Sequence, residues 1–177
     1  NVLGAEQHGH MDKVGYELYS KLLKEELTGE KQTVPDLDLK VTAFVPESYA
    51  ESSAGRLDCY KQIAEIKSTA DYKRVCLSLE ENYGPVPDEV GNLLVIAVLK
   101  AYAACFGVKK ISVSKAGGKM ELPSMASLSD RKINAAMEEY RKYLTVELTT
   151  APVLAFRAQS DPAQTLFMMT KFLKFAS

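Results

Sequence analysis

The spacing of the apolar residues changes near residue 107, and this change limits the folds that the chain can adopt. Before it, apolar residues follow Pro87 and Asp88 at intervals of three and four, as on one face of a buried helix: Val90, Leu93, Leu94, Ala97, Val98, Ala101 and Cys105. After it, apolar and polar residues alternate over 108–115, and Gly117 and Gly118 precede a return strand at 119–122. A core helix followed by a hairpin predicts an α+β fold.

The other helices are predicted from their first residues. Each predicted start carries a short side chain that can accept a backbone hydrogen bond: Ser52 or Ser53, Ser68 or Thr69, Ser129 with Asp130, and Asp161 before Pro162. Gly84 ends the second of these helices, and the last one continues through Phe175. Together with the core helix, three helices are therefore predicted between residues 52 and 105, before the hairpin, and two follow it.

Three further stretches are predicted to be strands. Residues 37–45 alternate up to Pro46, and residues 143–149 and 153–157 can form a second hairpin. No strand–helix–strand crossover repeats. We therefore expect a helix-rich α+β domain with a small antiparallel sheet.

The N-terminal region is predicted to be separate from this domain. An amphipathic helix is expected from Met11 to Gly29, followed by a polar linker that contains Pro35. The predicted boundaries are 1–36 for an N-terminal segment with a linking helix and 37–177 for the domain.

Composition excludes several classes of protein. The 177 residues are 46% hydrophobic and 25% charged, as in an ordinary folded domain, and the net charge of -1 gives no overall attraction to nucleic acid, although a local patch is compatible with it. Cys59, Cys76 and Cys105 lack the spacing of a metal site and fit thiols in a reducing compartment. No apolar run of membrane-spanning length occurs, and the first residues lack the basic segment followed by an apolar run that is typical of a leader peptide. We therefore expect a soluble, cytoplasmic chain without a membrane partner.

The residues that carry chemistry do not form a catalytic set. His8 and His10 are the only histidines; the pair could in principle bind a metal, but no third ligand lies near it in sequence. Residues 116–119 lack the spacing of a phosphate-binding loop. Adjacent acids such as Glu80 and Glu81 point apart on a helix. We therefore expect no enzyme activity, no metal and no cofactor in this chain.

The last helix carries a stripe of methionine and phenylalanine: Phe167, Met168, Met169, Phe172 and Phe175. The stripe can face the core of the domain, or it can bind a partner, since methionine adapts to varied surfaces. The core position is the more common one.

Several motifs occur in one order along residues 1–115. The first ten residues contain Leu3, Gly4, Gln7 and Gly9, the second half of the motif that follows the motor of bacterial DNA translocases. Residues 56–64 read R-L-D-C-Y-K-Q-I-A, residues 83–87 read Y-G-P-V-P, and residues 92–94 read N-L-L. Together they resemble the C-terminal domain of the bacterial transcription-repair coupling factor (Mfd) family.

This resemblance implies a regulatory role inside a larger protein. Members of the family resemble ATP-driven DNA translocases that displace stalled RNA polymerase and recruit the repair protein UvrA. Their C-terminal domain masks the UvrA-recruiting domain until the motor engages. By this resemblance ATP belongs to the motor, which these 177 residues do not include, so Gly4, Gln7 and Gly9 would be a remnant of the translocation motif.

The resemblance also implies a contact surface between domains, at Glu81, Asn82, Tyr83 and Gly84. The family pattern there is E-x-x-D-R-F-G; Glu81 keeps its second acid and Tyr83 replaces the phenylalanine. Ser78 and Asn82 depart from the pattern. The other interpretation of this segment is a helix end with a glycine cap, and the sequence leaves both open.

A different class of function is the alternative for the whole chain. Arg131, Lys132, Arg141 and Lys142 lie beside the predicted hairpins and could contact nucleic acid or RNA polymerase. Salt-dependent DNA binding would favour this alternative.

Overall fold

A computed structural model describes residues 34–177 and divides the chain into two compact units. Predictions for earlier residues lie outside the described part: the motif remnant with Gly4, Gln7 and Gly9, the two histidines and the amphipathic helix. The predicted boundary between residues 36 and 37 stays a prediction.

The first unit covers Val41–Val98 of the described chain. It contains α1 (Ser53–Ala64), α2 (Thr69–Tyr83) and the beginning of α3 (Asp88–Cys105). At each of the first two helix starts the earlier of the two candidate residues is the cap, since Ser52 Oγ accepts from the Gly55 amide at 2.9 Å and Ser68 Oγ from the Asp71 amide at 3.1 Å.

The second unit covers residues 34–40 and Leu99–Ser177. Its sheet has the order β1-β2-β3-β5-β4, and the strands are β1 (Asp36–Leu39), β2 (Lys110–Ser114), β3 (Gly117–Glu121), β4 (Leu144–Leu148) and β5 (Pro152–Arg157). A short 3-10 turn (Met125–Ser129) precedes α4 (Arg131–Glu139), and α5 (Pro162–Ala176) packs on the sheet. The α+β class is confirmed.

Three strand pairings are antiparallel as expected, and one is not. β1 pairs with β2 in parallel, with Leu37 opposite Ile111, so the sheet is mixed. The chain reaches β2 from β1 only through three helices, and a crossover of this kind can bring two strands together in parallel. The expectation of a purely antiparallel sheet was wrong at this edge.

The first predicted strand is also shorter than its alternation indicated. Beyond Leu39 the alternation persists, and Val41, Ala43 and Val45 are buried, yet none of them belongs to a strand. Side chains of helices replace a partner strand: Tyr60 Oη accepts from the Val45 amide at 3.0 Å, and Asn92 Nδ2 donates to the Thr42 carbonyl at 2.9 Å. These two backbone groups are thereby satisfied without a sheet.

The glycines of the first hairpin have a packing role as well as a turn role. A Cβ on Gly118 would lie 2.3 Å from Met169 Sδ, so β3 and α5 can approach closely only without a side chain there. Gly117 has φ +126°, which favours glycine, and it begins the strand. The return strand therefore starts two residues earlier than predicted.

The core positions predicted for Leu94 and Ala97 are confirmed, since both are at most 1% exposed. Tyr60 is buried as well. The stripe of α5 fits each of the two interpretations in part. Met169 and Phe172 are fully buried in the core, whereas Phe167 and Phe175 are about half exposed. No helix within residues 34–177 is long and apolar enough to cross a membrane.

Candidate functional site

The four predicted contact residues lie at the C-terminal end of α2. Glu81 and Asn82 are exposed, and Asn82 Nδ2 donates to the Ser78 carbonyl one turn earlier, at 2.8 Å. Gly84 has φ +94°, a conformation that side chains rarely adopt, and its amide closes the helix on the Glu80 carbonyl at 3.0 Å. The helix end is therefore both a glycine cap and an accessible surface.

Tyr83 is held from the side of α1. Its hydroxyl donates to Asp58 Oδ2 at 2.9 Å, and Gln62 Nε2 donates to the same oxygen at 2.8 Å. Burial first and this hydrogen bond second raise the pKa of Tyr83 above its usual value. Tyr83 therefore stays protonated as a donor at neutral pH, and its ring cannot turn away without breaking the bond.

Tyr49 holds the same helix end from another direction. Its hydroxyl lies 3.2 Å from the Leu79 carbonyl oxygen and 3.0 Å from the Gly84 carbonyl oxygen. The two carbonyls share this hydroxyl as their hydrogen-bond donor. Its ring lies 5.8 Å from that of Tyr83, at an angle of 47°. Burial raises the pKa of Tyr49 to about 12, so this hydroxyl also remains a donor at neutral pH. The last carbonyls of α2 thus gain a partner that the helix itself cannot supply.

Arg56 fixes the segment that carries Tyr49. This side chain is only 2% exposed, and its Nη1 donates to the carbonyls of Ala50 and Glu51, both at 2.8 Å. Its Nη2 lies 3.8 Å from Glu47 Oε1. Arg56 of the R-L-D-C-Y-K-Q-I-A motif therefore positions the chain around Tyr49.

The surface that results is a helix end held by hydrogen bonds, with acidic surroundings. Glu80 and Glu81 are exposed on the last turn, and Asp58 faces Tyr83 from α1. Sequence reasoning named Glu81, Asn82, Tyr83 and Gly84 but missed Tyr49 and Asp58. Asp58 stood inside a recognised motif, whereas nothing in the sequence links Tyr49 to a helix end 35 residues away.

The basic residues of the alternative function lie at the two ends of α4. Arg131 and Lys132 begin the helix, and Arg141 and Lys142 follow its end; all four are exposed. Nine residues of helix separate the pairs by about 14 Å. Arg141 forms an exposed ion pair with Glu138 at 3.4 Å. The structure therefore does not gather the four into one cluster.

The remaining candidates from the sequence are the residues of a possible phosphate loop, the possible metal ligands and the cysteines. Lys115 and Ala116 form the turn of the β2–β3 hairpin, as expected for a segment without phosphate-loop spacing. Within residues 34–177, no group of three histidine, cysteine, aspartate or glutamate side chains could hold a metal ion. Cys59 is buried, Cys76 half-buried and Cys105 exposed.

Comparison with known proteins identifies relatives. Residues 39–133, more than half of the chain, match the family described as the TRCF domain. The transcription-repair-coupling factor of Bacillus subtilis (strain 168) is 30% identical over 134 residues, which are 72% of this chain and 11% of that protein. That of Haemophilus influenzae is 31% identical over 145 residues (74% and 12%), and that of Borreliella burgdorferi 26% over 151 (81% and 13%).

The fold agrees with these matches. A crystal structure of the C-terminal domain of a transcription-repair coupling factor superposes with a TM-score of 0.68 and 18% identity, over 83% of this chain and 96% of that one. The chain spans only 11–13% of the length of the three relatives. Since the family match covers over half of the chain, the chain belongs to the TRCF domain family of transcription-repair coupling factors.

Proposed function

We propose that this chain is a non-catalytic regulatory domain that masks the UvrA-recruiting domain of its own parent protein. The parent would be a cytoplasmic, ATP-driven DNA translocase that displaces stalled RNA polymerase and recruits UvrA, with ATP bound in its motor. Family membership supports the parent's identity, and the motif resemblance supports the masking role.

The observation that carries the proposal is the preorganised end of α2. Tyr49 and Asp58 hold Tyr83 and Gly84 from two sides, while Glu81 and Asn82 point outward. A surface that is already ordered loses little conformational entropy on contact. Its exposed carboxylates suit a partner surface with basic side chains.

A mask of this kind must be reversible, and a tethered domain meets that need. A flexible linker supplies an effective concentration in the millimolar range, so a modest, partly polar interface is sufficient. Opening from 99:1 closed to 1:99 closed requires about 5.5 kcal/mol of differential binding. Engagement of the motor with DNA and polymerase would supply it.

The test is a titration of purified UvrA against the full-length parent protein. Glu81, Asn82 and Tyr83 are changed together to alanine, and a second variant is truncated after Gly29. Both should bind UvrA more tightly than wild type, and the truncation at least as tightly as the triple variant. Glu139→Ala, which removes an exposed acid on α4, is the matched control and should behave like wild type.

The folded state is checked separately, because Tyr83 also contributes packing. The double variant Glu81→Ala, Asn82→Ala leaves the Tyr83–Asp58 bond in place, so it should unmask in part with an unchanged thermal midpoint. Equal UvrA affinity in wild type, triple variant and truncation would refute masking. The contact with nucleic acid or polymerase would then be the better hypothesis.

A further inference from the structure

The exposed face of α5 combines aromatic rings and lysines. Phe167, Lys171, Lys174 and Phe175 follow one another at helical spacing, and the phenylalanines are 45% and 52% exposed. Lys171 Nζ lies 5.0 Å from the centroid of the Phe167 ring. The opposite side of the helix is buried, so this face is not required for the core.

Two tyrosines extend this surface beyond the helix. Tyr143 is 44% exposed, and Tyr140 meets Phe175 edge to face with ring centroids 6.3 Å apart. Between these tyrosines and α5 lies a depression of about 360 Å³, lined in part by Tyr140, Tyr143, Gln164, Phe167 and Lys171. We call this surface, formed by Tyr140, Tyr143, Phe167, Lys171, Lys174 and Phe175, the aromatic–lysine face.

The charge of the chain is divided unevenly, and this face lies in the basic part. Residues 99–177 contain twelve lysines and arginines against six aspartates and glutamates, whereas residues 1–98 contain ten against 17. The near-neutral total of -1 conceals this asymmetry.

The acids nearest the face in sequence have other partners or lie at its margin. Asp161, which directly precedes α5, accepts from the Gln164 amide as the helix cap. Glu138 pairs with Arg141, and Glu139 is exposed beside Tyr140. Arg141 and Lys142 continue the positive charge next to Tyr143.

We propose that the aromatic–lysine face binds single-stranded nucleic acid. Exposed rings offer stacking platforms to unpaired bases, and lysines between the rings offer contacts to the phosphates. The depression has the size of a small-ligand site, so it can accept one base at a time. Duplex DNA keeps its bases stacked and cannot use the rings.

A protein partner fits this face less well than a nucleic acid. Lysine is depleted in the centres of protein interfaces, yet Lys171 and Lys174 lie between the two exposed phenylalanines. The proposal goes beyond masking and uses other residues. Its α5 residues also lie outside the 39–133 segment that matches the TRCF domain.

The test is fluorescence anisotropy of the full 177-residue chain with a labelled single strand of about 16 thymidines, the upper range of common site sizes. The strand is titrated at several salt concentrations, beside a duplex of equal length and poly-glutamate as an acidic competitor. The variants are Phe167→Ala, the pair Lys171→Gln, Lys174→Gln, and a control pair, Lys110→Gln, Lys115→Gln, which removes two exposed lysines at β2.

The rings and the lysines should have different signatures. Phe167→Ala should weaken binding by about fivefold or more without changing the salt dependence, since it removes stacking alone. The Lys171 and Lys174 pair should reduce the salt slope by about 1.4, because each lysine that neutralises a phosphate of a single strand adds about 0.7. The control pair should keep the affinity and the salt slope of wild type, and circular dichroism should show the same thermal midpoint for all variants.

Several results would overturn the assignment. A Kd weaker than about 100 µM at physiological salt is below ordinary non-specific binding and would mean that there is no site. Unchanged affinity in Phe167→Ala would mean that the strand binds by charge attraction alone, without stacking on the ring. Equal binding of the duplex, or equally effective competition by poly-glutamate, would indicate a general acidic partner. None of these results depends on UvrA, so the masking proposal is tested independently.

Discussion

Replacing Arg56 by alanine tests whether this buried guanidinium organises the predicted contact surface at the end of α2. Its Nη1 donates to two backbone carbonyls of the segment that carries Tyr49, at Ala50 and Glu51. Among the described residues none accepts a hydrogen bond from Arg56 Nε, which is buried. The side chain thus both stabilises the segment and carries a desolvation cost.

The magnitude follows from these two effects. Hydrogen bonds to a charged donor contribute about 1.5 to 3 kcal/mol each, so two of them give a gross loss of about 3 to 6 kcal/mol. Relief of the buried charge and of the unsatisfied Nε returns about 1 to 3 kcal/mol. We expect a net loss of about 3 kcal/mol for Arg56→Ala. Arg56→Lys should lose less stability, because its ammonium group can still donate a hydrogen bond to one of the two carbonyls.

The assay is urea unfolding followed by circular dichroism. With a slope of about 2 kcal/mol per molar urea, Arg56→Ala should lower the midpoint by about 1.5 M. Glu47→Gln is the matched control: its carboxylate is 58% exposed and 3.8 Å from Arg56, so the ion pair contributes at most about 1 kcal/mol.

Two outcomes would contradict the argument. A loss of less than about 1 kcal/mol in the free energy of unfolding of Arg56→Ala would show that the two carbonyls accept hydrogen bonds from water instead. A loss in Glu47→Gln as large as in Arg56→Ala would mean that the ion pair, and not the backbone contacts, holds the guanidinium.

Three further predictions concern the core, the pH dependence and the absence of nucleotide chemistry. Leu94→Ala should cost roughly 2 to 5 kcal/mol in the same assay, because Leu94 is 1% exposed; a loss under about 0.5 kcal/mol would contradict its core position. Burial raises the pKa of Cys59 from 9.0 to about 12, so the stability it contributes is complete below pH 9 and is lost as the pH rises toward 12. Between pH 9 and 11 the free energy of unfolding should therefore fall less steeply with pH in Cys59→Ala than in wild type, by up to about 1.4 kcal/mol per pH unit. Equal slopes in the two proteins would refute this. Calorimetry should show no micromolar affinity of the chain for ATP, and a binding free energy near -8 kcal/mol, about 1 µM, would contradict the non-catalytic role.

Local features of the structure were predictable because they depend on residues close together in sequence. The serine caps and Gly84 located α1 and α2 within a residue or two, since a cap is a contact between residues three apart. Alternation located both hairpins, and the three-and-four spacing placed Leu94 and Ala97 in the core. The contact residues from Glu81 to Gly84 came from a family resemblance rather than from physical reasoning.

The sequence by itself therefore determined the helices, the hairpins and the inward-facing residues, while the tertiary structure decided how distant segments meet. Residues 41–45 alternate like a strand, yet Tyr60 and Asn92 bond two of their backbone groups in place of a partner strand. β1 lies parallel to β2, more than 70 residues later in the chain. Tyr49 reaches the end of α2 across 35 residues, and only packing shows that Phe167 and Phe175 face outward. Such choices depend on which surfaces the whole chain can bury together, and no short window of sequence contains that information.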